Sequence, residues 1–299
     1  MFFSNNKKIT IGMATYDDYD GVYFTIQSLL LYQEITKNTV DIIVIDNNPE
    51  SIHGKLTKKL IDTHLRGKYI PYTEKISTSV RNLVFENSKT KYTLCLDSHV
   101  LLQPKTIKNI LEYFESDIIN QENLLQGPLL YDDGENLSTH FEEIWNDGMF
   151  GKWATNHEEL KNNQPFEIPM QGLGAFACTT SKWPGLNKNF VGFGGEEGYI
   201  HEKFRKQGGK VICLPSFKWM HRFDRPKNVP YPLNMEDRVW NYFIGWLEIY
   251  NNPNHQMILD IKTHFEEKIG YYKTEKIFEE ALNVHNGKKT LDDVYVATI

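Results

Sequence analysis

The sequence predicts an α/β protein: a mostly parallel, Rossmann-like central sheet flanked by helices, with a C-terminal helical extension. Three observations lead there. β-rich runs and helical patterns alternate over the first hundred residues at the spacing of βαβ units. The run Val40 to Ile45 is almost continuously apolar, as in a strand buried on both faces. Polar clusters at Asp17–Asp20, Asp46–Asn48 and Asp97–His99 each close a predicted strand, which is where such sheets bind ligands.

The elements follow in chain order. Lys8 to Thr15 reads as a strand that ends in the acidic loop Tyr16 to Gly21, and a helix follows with Val22, Ile26, Leu29 and Leu30 on one face. The strand Val40 to Ile45 stops at the turn residues Asp46-Asn47-Asn48-Pro49. A basic helical segment leads to a weak strand at Tyr69 to Tyr72, a helix at Ser79 to Ser88 and a strong strand at Tyr92 to Leu96. From Tyr131 to Pro169 the chain is polar and acidic and reads as a long connection containing some helix. Met170 to Cys178 is a glycine-broken strand. Glu196 to Gln207 is a helix stopped by Gly208-Gly209, and Lys210 to Pro215 is a further strand. In the tail, Val239, Trp240, Phe243, Ile244 and Leu247 share one helical face, and Met257, Ile261, Phe265 and Ile269 recur every four residues. The expected division is a domain over 1–235, with halves 1–103 and 104–235, and a helical extension over 236–299.

Composition narrows the function classes. The 299 residues suffice for a large core without disulfide or metal staples. A net charge of −6 gives no global nucleic-acid footprint, although Lys55–Lys59 and Arg222–Lys227 offer local basic patches. Three dispersed cysteines in apolar contexts read as buried thiols of a reducing compartment. The first residues do not form a secretory signal and no apolar run approaches a membrane span, so a cytoplasmic location is expected. Aromatics reach 13%. Phe24, Tyr92, Phe204 and most tail rings are expected in the core, while Tyr16, Trp145, Trp153, Phe193, Trp219 and Phe223 are expected to flank a cleft.

Asp97-Ser98-His99 carries the sharpest chemistry. On an extended backbone residues two apart face the same side, so Asp97 and His99 can share one ion while Ser98 points away. A carboxylate with an imidazole suits a divalent cation such as Mn2+, which would neutralise a diphosphate leaving group.

Several fragments in order carry a family likeness. A first strand runs into an acidic loop, Val44-Ile-Asp-Asn-Asn48 closes the second, Val80-Arg81-Asn82 precedes the third, and a DxD-like Asp-Ser-His ends a strand. Phe193-Gly-Gly-Glu196, Lys203-Phe-Arg205, Gly208-Gly209, His221-Arg-Phe223 and Pro230-Tyr231 follow in the second half. The sequence thereby resembles the GT-A fold, family 2-like glycosyltransferases, closest in motif to the polypeptide N-acetylgalactosaminyltransferases and their bacterial and viral relatives.

The resemblance implies a metal-dependent transfer of sugar from a nucleotide-diphosphate donor, UDP-linked, to an acceptor hydroxyl. Asp97, His99 and His221 would hold Mn2+ or Mg2+. Thr15 and Tyr16 would line the base pocket, Asp46 would accept from the uracil ring, and Arg81 would sit against the diphosphate. Gly172 and Gly174 would let the backbone approach the donor sugar, and Asp18, Asn82, Ser98 and Gly195 complete the expected donor-binding set. Glu196 would bind donor hydroxyls in a retaining reaction, with the leaving diphosphate helping to deprotonate the acceptor. In an inverting, family 2-type reaction Glu197 would instead be the general base. Two other readings stand beside these: a phage-type transferase acting on hydroxymethylated DNA bases, and a non-catalytic nucleotide-sugar or glycan-binding module. The acceptor (protein, glycan, lipid-linked glycan or modified DNA) and the oligomeric state are not specified by the residues. The sequence departs from the family at Phe193, where a tryptophan is usual, and at Val100-Leu101, which replace Cys-Glu.

Overall fold

A computed structural model describes residues 7–33, 39–65, 67–223 and 230–294. In chain order the elements are β1 (Ile9–Thr15), α1 (Tyr19–Tyr32), β2 (Val40–Asp46), α2 (Ile52–Leu60), β3 (Lys68–Pro71), α3 (Asn82–Asn87), β4 (Tyr92–Asp97), β5 (Val100–Leu102) and α4 (Thr106–Ser116). Then come β6 (Leu124–Gln126), β7 (Leu129–Leu130), β8 (Leu137–Ser138), β9 (His140–Asn146), β10 (Met149–Ala154), α5 (His157–Asn162), β11 (Phe166–Glu167) and β12 (Ala175–Thr179). The rest are α6 (Glu197–Lys206), β13 (Val211–Cys213), β14 (Trp219–His221), α7 (Met235–Tyr250), α8 (Gln256–Ile269), α9 (Tyr271–His285) and α10 (Leu291–Val294).

The main sheet has the order β11-β13-β6-β12-β4-β1-β2-β3, and only β11 and β12 run against the other strands. The chain leaves β1 toward β2 and β3, then returns to place β4 on the other side of β1. That reversal is the switch point where α/β sheets open a crevice beyond the strand ends. In register, Ala14 pairs with Asp97 and Thr15 with Asp46, so the polar strand ends converge there.

Alternation along the strands explains the layers. Ile42 and Val44 join Ile9, Ile11 and Met13 in one apolar cluster with Val22, Ile26 and Leu29 of α1. Ile43 and Ile45 face the opposite cluster, with Val84 and Phe85 of α3 and the rings of α6 and α7. A strand covered on both sides must be apolar throughout, as the sequence of β2 is. The C-terminal helices share that second core. Trp240, Tyr242, Phe243, Trp246 and Leu247 of α7 are all nearly inaccessible, so α7 is buried around most of its circumference. The expected boundary at residue 235 falls at the first residue of α7, and the extension packs onto the same core as the sheet.

Three expectations need correction. The 131–169 segment is not mainly a connection with helix: β9 and β10 form an antiparallel hairpin within it. Its turn is Asp147-Gly148, at φ +48° and +78°, the left-handed conformation that tight hairpins require and that Asp-Gly supplies. Met170 to Gly174 lies outside the strand, which starts at Ala175. Phe24 is 60% exposed, on the solvent side of α1, and is not a core residue.

Candidate active site

A cavity of about 410 Å³ opens at the switch point. Its floor is built from strand ends. Thr15 and Tyr16 follow from β1, Asp97 to His99 from β4, and Gly172 to Gly174 enter β12. The Asp97 amide donates to the Gly174 carbonyl at 2.8 Å, which locks the two segments together. His221 arrives from far along the chain because β14 pairs antiparallel with β5, placing His221 opposite Val100. The Arg222 amide then donates to the His99 carbonyl at 3.2 Å.

These pairings gather Asp97, His99 and His221 into one cluster whose ligating atoms lie within 4.8 Å of one another. His99 Nε2 and His221 Nε2 are 3.0 Å apart, and His221 Nε2 is 3.6 Å from Asp97 Oδ2. Two ligands at right angles on an ion with bonds of about 2.1 Å are also about 3.0 Å apart. One carboxylate and two imidazoles form an oxygen–nitrogen set suited to a divalent cation of the Mn2+ type. His221 Nδ1 is buried with no hydrogen-bond partner among the described residues. The residues therefore fit the ion that the sequence implied.

Among the described lining residues, Arg81 is the one arginine or lysine. Its side chain is 8% exposed and reaches from the turn before α3 to Asp97 Oδ1 at 2.8 Å and Glu196 Oε1 at 3.4 Å. Burial opposes its charge, but Asp97 and Glu196 outweigh that and keep it protonated. Burial would likewise raise the Asp97 pKa, yet Arg81 and the two histidines hold it well below the usual carboxylate range. Glu196 is different. Burial and the adjacent Glu197 push its pKa up, and Arg81 offsets only part of that. Glu197 is also shifted upward, first by burial. Both residues line the cavity at the N-terminal end of α6.

The loop Gly192 to Glu196 that carries them owes its shape to α7. Asn241 accepts from the Val191 amide at 2.9 Å and donates to the Val191 and Gly194 carbonyls at 2.7 and 2.8 Å. Gly195, expected near the donor, turns instead toward α7: a Cβ there would lie 3.0 Å from the Asn241 side chain. Gly174 does face the cavity, where a Cβ would lie 2.7 Å from the Trp219 ring and 3.2 Å from the His221 ring.

The remaining expected residues divide. Thr15, Tyr16, Asp18, Arg81, Ser98, Gly172, Gly174, Glu196 and Glu197 all line the cavity with the three cluster residues. Asp46 does not. It is 1% exposed and accepts from Tyr69 Oη at 2.7 Å and from the Asn48 amide at 2.9 Å, so both its oxygens are engaged at the end of β2. Asn82 is also absent from the lining; it accepts from Trp183 Nε1 and the Leu186 amide and donates to the Leu186 carbonyl. Both residues support the wall rather than form it.

Several lining residues lie outside the set expected from the sequence. Asn47, not Asp46, reaches the cavity, and its amide donates to the Tyr72 and Lys75 carbonyls. Thr78 enters from the Ser-Thr-Ser turn before α3, a local cap signal. Phe141 and Met149 come from the β9–β10 hairpin, and the Asp-Gly turn would have revealed them.

Aromatic rings form two walls. Tyr231 meets Tyr16 and Phe193 edge-on, with centroids 5.2 and 5.8 Å away, and Trp153 packs on Phe141 at 4.2 Å. Trp219 and Phe223 also line the cavity. Trp145 does not: it stacks on His264 and packs against Tyr242 and Phe265. Among the described residues, half of the ten buried polar side-chain atoms without a partner belong to this cavity: Thr15 Oγ1, Thr78 Oγ1, Arg81 Nε, Glu196 Oε2 and His221 Nδ1. Buried polar atoms are normally paired, so this concentration marks a ligand site.

The family model for glycosyl transferase family 2 matches residues 10–178, from β1 through most of β12. The chain belongs to glycosyl transferase family 2. No curated protein sequence matches this family 2 glycosyltransferase significantly. Its fold is similar to that of GalNAc-T7 crystallised with UDP, GalNAc and Mn2+, at a TM-score of 0.67 and 14% identity over 98% of this chain. The match spans 58% of the GalNAc-T7 chain. It is also similar to Staphylococcus aureus TarS 1–349 in complex with UDP-GlcNAc, at a TM-score of 0.56 and 11% identity over 93% of this chain and 80% of TarS. The mannosyltransferase PcManGT from Pyrobaculum calidifontis, solved with GDP-Man and Mn2+, superposes at a TM-score of 0.53 and 11% identity, covering 97% of this chain and 78% of that one. At these identities the likeness establishes the GT-A architecture. Among the described residues, no helix of this glycosyltransferase is long and apolar enough to cross a membrane.

Proposed function

We propose that this family 2 glycosyltransferase moves a sugar from a UDP-linked donor to an acceptor hydroxyl, using Mn2+ or Mg2+ held by Asp97, His99 and His221. The observation that carries the proposal is the cluster of these three side chains beside Arg81, at the floor of a cavity lined by unpaired buried polar atoms. GalNAc-T7 and PcManGT, which share the fold, were each solved with a nucleotide or nucleotide sugar and Mn2+. When bound, the cation supplies positive charge against the diphosphate as the sugar leaves. The chain's own residues do the rest. Arg81 keeps Asp97 ionised as a ligand and holds Glu196 in place. The unpaired Oε2 of Glu196 serves as an acceptor for a donor-sugar hydroxyl, and Gly174 admits the sugar ring next to Trp219 and His221. The Tyr16–Tyr231–Phe193 wall stacks the base, and the Phe141–Trp153 wall presents rings to a sugar face. The catalytic unit is residues 1–235, and 236–299 completes it by anchoring the Gly192–Glu196 loop through Asn241.

Retention is the outcome that the motif likeness implies. One observation favours the second reading, inversion: Glu197 lines the cavity beside the ion-paired Glu196, and its raised proton affinity suits a general base. The anomeric proton coupling of the product, measured by NMR, decides between them. A β-linkage formed from an α-linked donor would establish inversion.

The activity is tested by incubating the chain with UDP-, GDP- and CDP-sugars and Mn2+ in the absence of acceptor. Slow hydrolysis of a UDP-sugar is expected, abolished by EDTA and restored by excess Mn2+. Full hydrolysis in EDTA would refute the cation, and UDP binding with no hydrolysis of any donor would point to a binding module. Of the two basic patches that the hydroxymethyl-DNA reading would use, Lys58 pairs with Asp62 and Lys55 with Glu50 at the surface, and residues 224–227 lie outside the described residues.

A further inference from the structure

Asp18 was expected among the donor-binding residues, but its contacts assign it another task. It stands at the N-cap of α1, 9% exposed. Oδ1 accepts from the Gly21 amide at 3.3 Å. Oδ2 accepts from Ser98 Oγ at 3.0 Å and lies 2.8 Å from His99 Nδ1. An ionised carboxylate can only accept hydrogen bonds, so a neutral His99 must carry its proton on Nδ1. The lone pair is then on Nε2, the atom that faces His221 Nε2.

We infer that Asp18 is the positioning residue that makes His99 a cation ligand, fixing its tautomer and ring orientation from the rear. The inference rests on the proposed cation site. Metal-binding histidines commonly donate their other nitrogen to such a carboxylate, which also strengthens the ligand. Here the arrangement is built from one face of one helix. Gly21, one turn beyond Asp18, leaves the space the carboxylate needs: a Cβ there would lie 2.4 Å from Asp18 Oδ2 and 2.7 Å from the Ser98 carbonyl oxygen. Thr25, a further turn on, bridges with its Oγ1 to the carbonyls of Ser98 and Val100 at 3.0 and 2.9 Å. Asp18, Gly21 and Thr25 recur at helical spacing and all bear on residues 98–100. Ser98 therefore joins this clamp through its hydroxyl.

The test measures Mn2+ affinity by electron paramagnetic resonance titration of the full chain, and the His99 tautomer by nitrogen-15 NMR without metal. Wild type should show the Nδ1–H form. Asp18→Ala should lose that form and bind Mn2+ about 10–100-fold more weakly. Asp18→Asn, whose amide oxygen can still accept from Nδ1–H, should fall between the two and guards against a folding failure in the alanine variant. Mn2+ uptake that Asp97→Ala abolishes but neither Asp18 variant changes, with the tautomer unaltered, would overturn this inference alone. A wild-type chain that takes up no Mn2+ would overturn the cation reading and this inference together.

Discussion

Replacing His221 with alanine should lower donor turnover by roughly 10²–10³-fold, the loss expected when charge stabilisation worth several kcal/mol is removed from the leaving group. The fold should be little affected. His221 lies at the end of a short strand, its side chain is 15% exposed, its Nδ1 has no partner among the described residues, and its Nε2 meets only the cluster residues His99 and Asp97. A steady-state assay with saturating Mn2+, paired with a thermal melt, checks both halves. Unchanged turnover would show that no cation is held here. Asp97→Ala is the less clean experiment, because it also removes the carboxylate that Arg81 meets at 2.8 Å. A loss of activity there would mix chemistry with stability.

Arg81→Met should be strongly destabilising. It would leave Asp97 and Glu196 facing each other without the guanidinium that joins them, and Glu196 is 1% exposed. Removing one member of a buried ion pair costs about 3–5 kcal/mol, which lowers Tm by on the order of 10 °C in a chain of this size. A second substitution, Asp97→Asn, should recover part of the loss, because Asp97 is the carboxylate that Arg81 holds ionised and the two residues are coupled. The pH dependence has a definite sign. Asp97 is held below its ordinary pKa, so its contribution is present above the usual carboxylate range and lost as pH falls through and below it. Melts in acid should therefore show the wild type losing its advantage over Arg81→Met. Equal Tm values at neutral pH would mean that Arg81 does not hold these carboxylates together.

Some of this was legible residue by residue. The apolar run of β2, the helical stripe of α7 and the Asp-Ser-His that ends β4 are local patterns; burial on both faces and strand-end chemistry follow from the first and last, while α7 is buried around more of its circumference than its stripe alone implies. Asp46 and Asn47 show where such reasoning stops. Both are polar strand-end residues, and only the pairing of β2 with β3, which brings Tyr69 to the Asp46 carboxylate, turns one inward and leaves the other to line the cavity. Phe24 shows the same limit on a helix: a ring near an apolar stripe counts as core by composition, but its orientation leaves it in solvent. The β9–β10 hairpin is masked for a different reason: its Asp-Gly turn is a local signal, but the polar, acidic residues around it carry the pattern of a loop.

The aromatic surplus divides accordingly. Trp145 and Trp153 lie on paired strands of one hairpin, yet Trp145 enters the core beneath α8 while Trp153 reaches the cavity. By itself, the sequence determined the α/β class and the gathering of polar clusters at strand ends, because strand and helix periodicity are local properties; the motif likeness, not periodicity, singled out Asp97, His99 and His221 as proposed cation ligands. Only the tertiary structure decided that His221 would meet His99, that Arg81 would join Asp97 to Glu196, and that Asp18 would serve the imidazole. Those contacts join residues 81 to 122 positions apart in the first and third cases and 16 and 115 apart in the second. Strand pairing and helix packing set such distances, and no local pattern records them.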